Sequence, residues 1–152
     1  LAEEYTFQGS ADVSTEELLS FMAAITGGFI ADNYVRRDFL DITPWRVEPG
    51  EEATAAAVFG FTDRVTIMFR ISNRANSDQR DEAVVTMVRA VLQFFDRYDG
   101  AGVLLFNGEE VVLQRLNGGV VVDSKWEDLA DIPELAALVA GLEVTPLPQP
   151  LL

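Results

Sequence analysis

"GVLLFNGEEVVLQRLNGGVVVD", residues 102–123, decides the fold. Asn and Gly both accept the positive φ that a two-residue hairpin turn requires, so Asn107-Gly108 and Asn117-Gly118 are each expected to reverse the chain. The runs between them are short, apolar and rich in Val and Leu. Together they predict a three-stranded antiparallel meander over about 102–106, 109–116 and 119–123. Nothing in the stretch is reactive, so its use must come from what surrounds it.

Upstream, the spacing predicts a long helix over about 78–98. Val84, Met87, Val88, Val91, Leu92 and Phe95 recur at intervals of three and four, with Arg89, Gln93, Asp96 and Arg97 on the outer side. Asp78, Asp81 and Glu82 at its start and Arg97 near its end complement the helix dipole. Before it, "RVTIMFRIS" (64–72) alternates, with Val65, Ile67, Phe69 and Ile71 on one face of a half-buried strand. "YTFQG" (5–9) reads as a first strand, followed by a helix that Ser14 and Glu17 open as a capping box and Gly27-Gly28 close. Residues 29–48 predict two short strands near 34–40 and 44–48, and the middle of 48–63 fits helix or loop equally. Downstream, "DIPELAALVAGL" (131–142) predicts one short helix with Asp131 as N-cap and Glu134 three residues on. The expected organisation is a single domain over 1–145 and a Pro-rich, weakly ordered tail over 146–152. Hairpin connections dominate the order, which predicts an α+β fold: a mainly antiparallel sheet with two main helices and a short C-terminal helix packed on one face.

Composition narrows the function. With 49% apolar residues and ten Phe among 152 residues, the chain is long enough to bury a full core. It has neither His nor Cys. That removes Ser-His-Asp and Cys-His catalysis, zinc-thiolate sites and disulfides, and leaves enzymatic work to carboxylates, Lys or Tyr. No phosphate-binding loop or dinucleotide fingerprint is present, so no cofactor is expected. Acidic residues outnumber basic ones 25 to 11, a net charge of −14. Such a field repels nucleic acid and anionic membranes and attracts a basic partner. No apolar run reaches the ~18–20 residues of a membrane span, and no basic n-region with an apolar follow-on opens the sequence, so a cytoplasmic location is expected.

Two acidic segments stand out. Glu109 and Glu110 sit at the mouth of the first hairpin, where adjacent strand residues point to opposite faces and cannot serve one site together. "DSKWEDLADIPE" (123–134) gathers five carboxylates around Trp126, without the alternating ligands and central Gly of a calcium loop. No metal is expected there. An aromatic anchor ringed by acids suits a basic protein partner, which makes Asp123, Trp126, Glu127 and Asp128, with Glu109 and Glu110, the candidates for an interface.

The run 87–126, with "TMVRAVLQFF", the Gly-containing break and "VLLFNGEEVVLQR", together with "VTIMFRIS" before it, resembles the Sit-type immunity family. These small proteins are encoded beside contact-delivered polymorphic toxins. The likeness is good over about 64–126, weak over the first helix and poor over 29–63. It implies a non-enzymatic protein that binds and neutralises a cognate toxin. An acidic partner would suit a toxin with a basic, nucleic-acid-targeting cleft. The alternative is a small acidic secretion chaperone or adaptor that holds a client protein. A carboxylate- or metal-dependent enzyme ranks below both, because no two acids are placed to work together.

Overall fold

Alternation in "EEYTFQG" puts Glu3, Tyr5 and Phe7 on one face of strand β1 (Glu3–Gly9), with Tyr5 and Phe7 fully buried. The computed structural model describes residues 2–150; Leu151 and Leu152, the end of the expected tail, lie outside the described residues. Downstream follow α1 (Thr15–Thr26), β2 (Phe29–Ala31), β3 (Tyr34–Arg37), β4 (Leu40–Arg46), α2 (Thr54–Val58) and β5 (Val65–Ile71). Then come α3 (Ser77–Arg97), β6 (Gly102–Phe106), β7 (Glu110–Arg115), β8 (Val121–Asp123), α4 (Glu127–Asp131), α5 (Pro133–Leu138) and β9 (Glu143–Thr145). The fold is α+β. Its nine-stranded sheet runs β2-β3-β4-β5-β1-β6-β7-β8-β9, and every neighbouring pair is antiparallel except β8–β9.

The two long helices form for reasons written locally. Ser14 Oγ accepts the Glu17 N–H at the start of α1, and Gly27 ends it at φ 74°. Asn76 caps α3 and exchanges hydrogen bonds with Gln79, a full capping box that starts two residues ahead of Asp78, the first of the acids at the helix start. Leu18 and Met22 of α1, and Val84, Met87, Val88, Val91, Phe94 and Phe95 of α3, bury against Tyr5, Phe7, Ile67, Phe69 and Leu104. The opposite sheet face carries a smaller cluster: Val103, Leu105, Val111 and Leu147, with Phe59 and Phe61 from the segment after α2 packed on it.

The meander departs from its expected form in two places. Asn107 and Gly108 both take positive φ, and Phe106 C=O accepts the Glu109 N–H, as a two-residue turn requires. Glu109 therefore belongs to the turn, and the strand begins at Glu110. A bulge follows, because Leu104 pairs with Leu113 but Leu105 with Val111, leaving Val112 extra. Val111 then faces the small cluster while Val112 and Leu113 face the main core, so three consecutive residues are buried. Asn117-Gly118 does not make a tight hairpin. Only Gly118 is left-handed there, Leu116 turns onto the small cluster, and β7–β8 pairing is confined to Leu113–Val122 and Gln114–Val121.

Residues 29–48 form three strands where two were expected. Their turns pivot on Asp32 (φ 54°) and Asp38 (φ 52°), which lack the Gly that marks a hairpin in sequence. The expected helix 131–142 is shorter, α5 over Pro133–Leu138, and a separate helix, α4, precedes it. Asp131 ends α4 and caps nothing; Ile132, before Pro133, is forced to an extended backbone, and Pro133 opens α5 at its first turn. The tail is better anchored than its prolines imply: Leu147 N–H reaches Asp123 Oδ1, and the Gln149 side chain bonds both the N–H and the C=O of Val111.

Gly9 and Gly102 face one another across β1 and β6, and the Phe7 ring fills the space above them. A Cβ at Gly102 would lie 2.6 Å from Phe7 Cζ and 2.9 Å from Phe95 Cε1, both in the core. Gly102→Ala is expected to lower unfolding stability by about 1–3 kcal/mol through overpacking, read by urea denaturation.

Candidate interaction surface

The acidic segment is built around one arginine. Arg80 lies in the first turns of α3, four residues before Val84 and so on the helix's apolar stripe. Its guanidinium donates to Glu3 from Nε (2.7 Å) and Nη2 (3.0 Å), and to Asp128 from Nη1 (2.7 Å) and Nη2 (2.9 Å). Two forked carboxylate pairs on one guanidinium tie β1, α3 and α4 together. The carboxylates raise the Arg80 pKa above its already high ordinary value, Glu3 most strongly. Tyr5 Oη donates to Asp128 Oδ2 at 3.2 Å, and the Trp126 ring meets Tyr5 edge-on at 6.2 Å. Burial, reinforced by the Asp128 charge, raises the Tyr5 pKa well above 10.

A cleft of about 310 Å³ opens beside this cluster. Glu110, Trp126, Glu127 and Asp128 line it with Glu3, Tyr5 and Arg80. Four of the six candidate residues thus meet at one place. Glu110 and Glu127 are exposed there, whereas Asp128 is buried and Trp126 is only 5% exposed, a wall of the core rather than a projecting anchor. Glu109 stands exposed at the turn apex outside the cleft lining. Asp123 is turned away and buried; its carboxylate accepts the N–H groups of Lys125 and Leu147 and the Gln149 amide, so it fastens the C-terminal segment.

Glu3, Tyr5 and Arg80 were not among the candidates. The signal for them was present: Glu3 shares the apolar face of β1, and Arg80 interrupts the apolar stripe of α3. A charge on each of two facing apolar surfaces marks a pair. A second acidic concavity, about 460 Å³, lies between the end of α1 and the start of α3, with Asp78, Asp81, Glu82 and Glu134 around Arg37 and Arg89. Among the described residues no group of three or more Asp or Glu is arranged to hold a metal ion, and no helix is long and apolar enough to cross a membrane.

What fold and cluster define is an acidic α+β protein whose cleft carboxylates Glu3 and Asp128 are engaged by an internal arginine, with further acids left on the surface. The SitI3-like family model matches residues 3–133, and the chain belongs to that family. The match includes residues 29–63, where the sequence likeness was poor, and its name accords with the Sit-type immunity resemblance. Comparison with curated proteins and with solved structures gives no match.

Removing Arg80 leaves Glu3 and Asp128 facing each other without their cation. Arg80→Met is expected to cost about 2–3 kcal/mol by denaturant unfolding, below the ~3–5 kcal/mol of a fully buried pair because Arg80 and Glu3 are partly solvated. Tyr5 gives a pH dependence. Above about pH 10 the unfolded chain loses a phenolic proton that the native state keeps, so stability falls as pH rises. Tyr98, pushed up to about 12 by burial and its bond to Glu17, acts in the same direction. Tyr5→Phe is expected to cost about 1 kcal/mol at neutral pH and to flatten the decline above pH 10, measured by unfolding at stepped pH.

Proposed function

We propose that this protein is an immunity protein: it binds the toxin domain encoded beside it and neutralises that toxin in the cytoplasm of the producing cell, without catalysis of its own. Membership of the SitI3-like family over residues 3–133 is the observation that carries the reading. The charge supports it. A net −14 raises the rate of encounter with a basic protein surface, such as the cleft of a toxin that acts on nucleic acid. Exposed acids such as Glu109, Glu110 and Glu127 contribute to that field, while Asp123 and Asp128 act from within by holding their segment in place.

Co-expression tests the proposal. Cells producing the adjacent toxin domain are expected to stop growing, to recover when this protein is supplied, and to yield a stable complex of the two on purification. Association is expected to weaken at least about tenfold between roughly 50 and 500 mM salt, because exposed charges are screened within a few ångströms at the higher value. A toxin domain shown to be active, yet neither rescued nor bound, would overturn immunity and favour a chaperone for another client. Binding that ignores salt would retain immunity and remove electrostatic attraction to a basic surface.

A further inference from the structure

The two edges of the sheet are unlike each other. At one edge β9 carries Glu143 and runs straight into Pro146 and Pro148, residues that discourage further strand pairing. At the other, β2 is Phe29-Ile30-Ala31, with no charge and no proline. Phe29 is 61% exposed and Ile30 49%. A free strand edge bearing two exposed apolar side chains is a template for another strand.

The sheet face beside this edge continues the pattern. Cross-strand register places Phe29, Arg36, Asp41, Arg70 and Glu4 in one row on the side away from α1 and α3. Arg36 and Asp41 are bonded at 2.8 Å, and Arg70 lies 3.7 Å from Glu4, so the row is close to neutral. Tyr34 and Trp45 stand on the same face by alternation, Trp45 exposed. Asp32 and Asp38 mark the turns at the two ends of these hairpins, both exposed, and Asp38 lies 3.7 Å from Arg37. Aromatic and Arg-containing contact area whose charges are paired among themselves has the make-up of an interface centre.

We infer that β2 and the adjoining face with Tyr34 and Trp45 are the docking surface for a net-basic protein, which adds a strand to the β2 edge. The occupant follows from net charge: a second copy brings another −14 to a molecule that already carries −14 and is repelled, whereas a basic protein is drawn to it. This rests on the immunity reading, with the adjacent toxin domain as the partner. The acidic field then governs approach, and the apolar edge governs residence.

The test uses the intact protein and the purified toxin domain. If the wild-type proteins form no complex, the immunity reading fails and this proposal with it. If they do, Phe29→Ser and Trp45→Ser are each expected to weaken binding by at least about tenfold by calorimetry, while Val144→Ser at the opposite edge stays within about twofold. Amide exchange on the unaltered protein is expected to slow at residues 29–31 when the toxin is bound, a reading independent of how any variant folds. The proposal is overturned, with immunity intact, if those amides are unchanged in the complex. It is equally overturned if Glu110→Gln with Glu127→Gln abolishes binding that Phe29→Ser leaves alone. Sedimentation of the protein by itself showing a dimer that Phe29→Ser dissolves would assign the edge to a second copy instead.

Discussion

The Phe7 ring lying over two glycines is the constraint from which the rest follows. Gly9 and Gly102 offer no side chain, so the ring drops onto the backbone of β1 and β6 and meets Phe94 and Phe95 of α3 edge-on at 5.2 and 5.4 Å. One residue thereby fixes the β1–β6 register and the seat of the long helix. Because Glu3 and Tyr5 share the face of Phe7, seating α3 also brings Arg80 over Glu3 and beside Asp128. The charged cluster is a geometric consequence of aromatic packing at the other end of the strand.

That arrangement explains how so acidic a chain keeps its surface acidic. Its arginines are largely committed to internal work. Arg36, Arg46, Arg64, Arg70 and Arg80 each lie against a carboxylate, and Arg115 donates to the carbonyls of Phe95, Tyr98 and Gly100 where α3 ends. Ring stacking of Arg115 over Phe95 at 4.4 Å adds packing to that cap. Positive charge serves to join elements, and the excess negative charge faces outward. A partner therefore meets acids at long range, and apolar or neutral-paired patches only on contact.

The legible parts of the sequence were those whose signal is local. Alternation in β5, the three-four spacing of α3, the Ser14 cap and the Asn107-Gly108 turn all state their structure within ten residues. What escaped depended on distant partners or on an uncommon residue at a turn. Asp32 and Asp38 do what Gly usually does, so the β2–β3–β4 hairpins were blurred, and the exposed edge among them with it. Ile132-Pro133 moves the start of the last helix past the expected cap at Asp131. In the acidic segment the residue types were recognised but not their directions: Glu110 and Glu127 are exposed, whereas Asp123 and Asp128 are held inward by the tail and by Arg80. Burial of Trp126 likewise depends on Tyr5, more than a hundred residues away.

The central position of β1 has a consequence for assembly. Its neighbours are residues 65–71 on one side and 102–106 on the other, so the strand synthesised early waits for both. Until residues 102–106 have been made, Tyr5 and Phe7 have no finished sheet to enter. Pairings of such long sequence separation close slowly, on the millisecond-to-second scale typical of sheet-dominated folds rather than the microseconds of helical bundles. A nascent chain in that interval carries an unpaired apolar strand, the state in which association with the wrong partner competes with folding. The heavy negative charge of the sequence also keeps these unfinished chains apart.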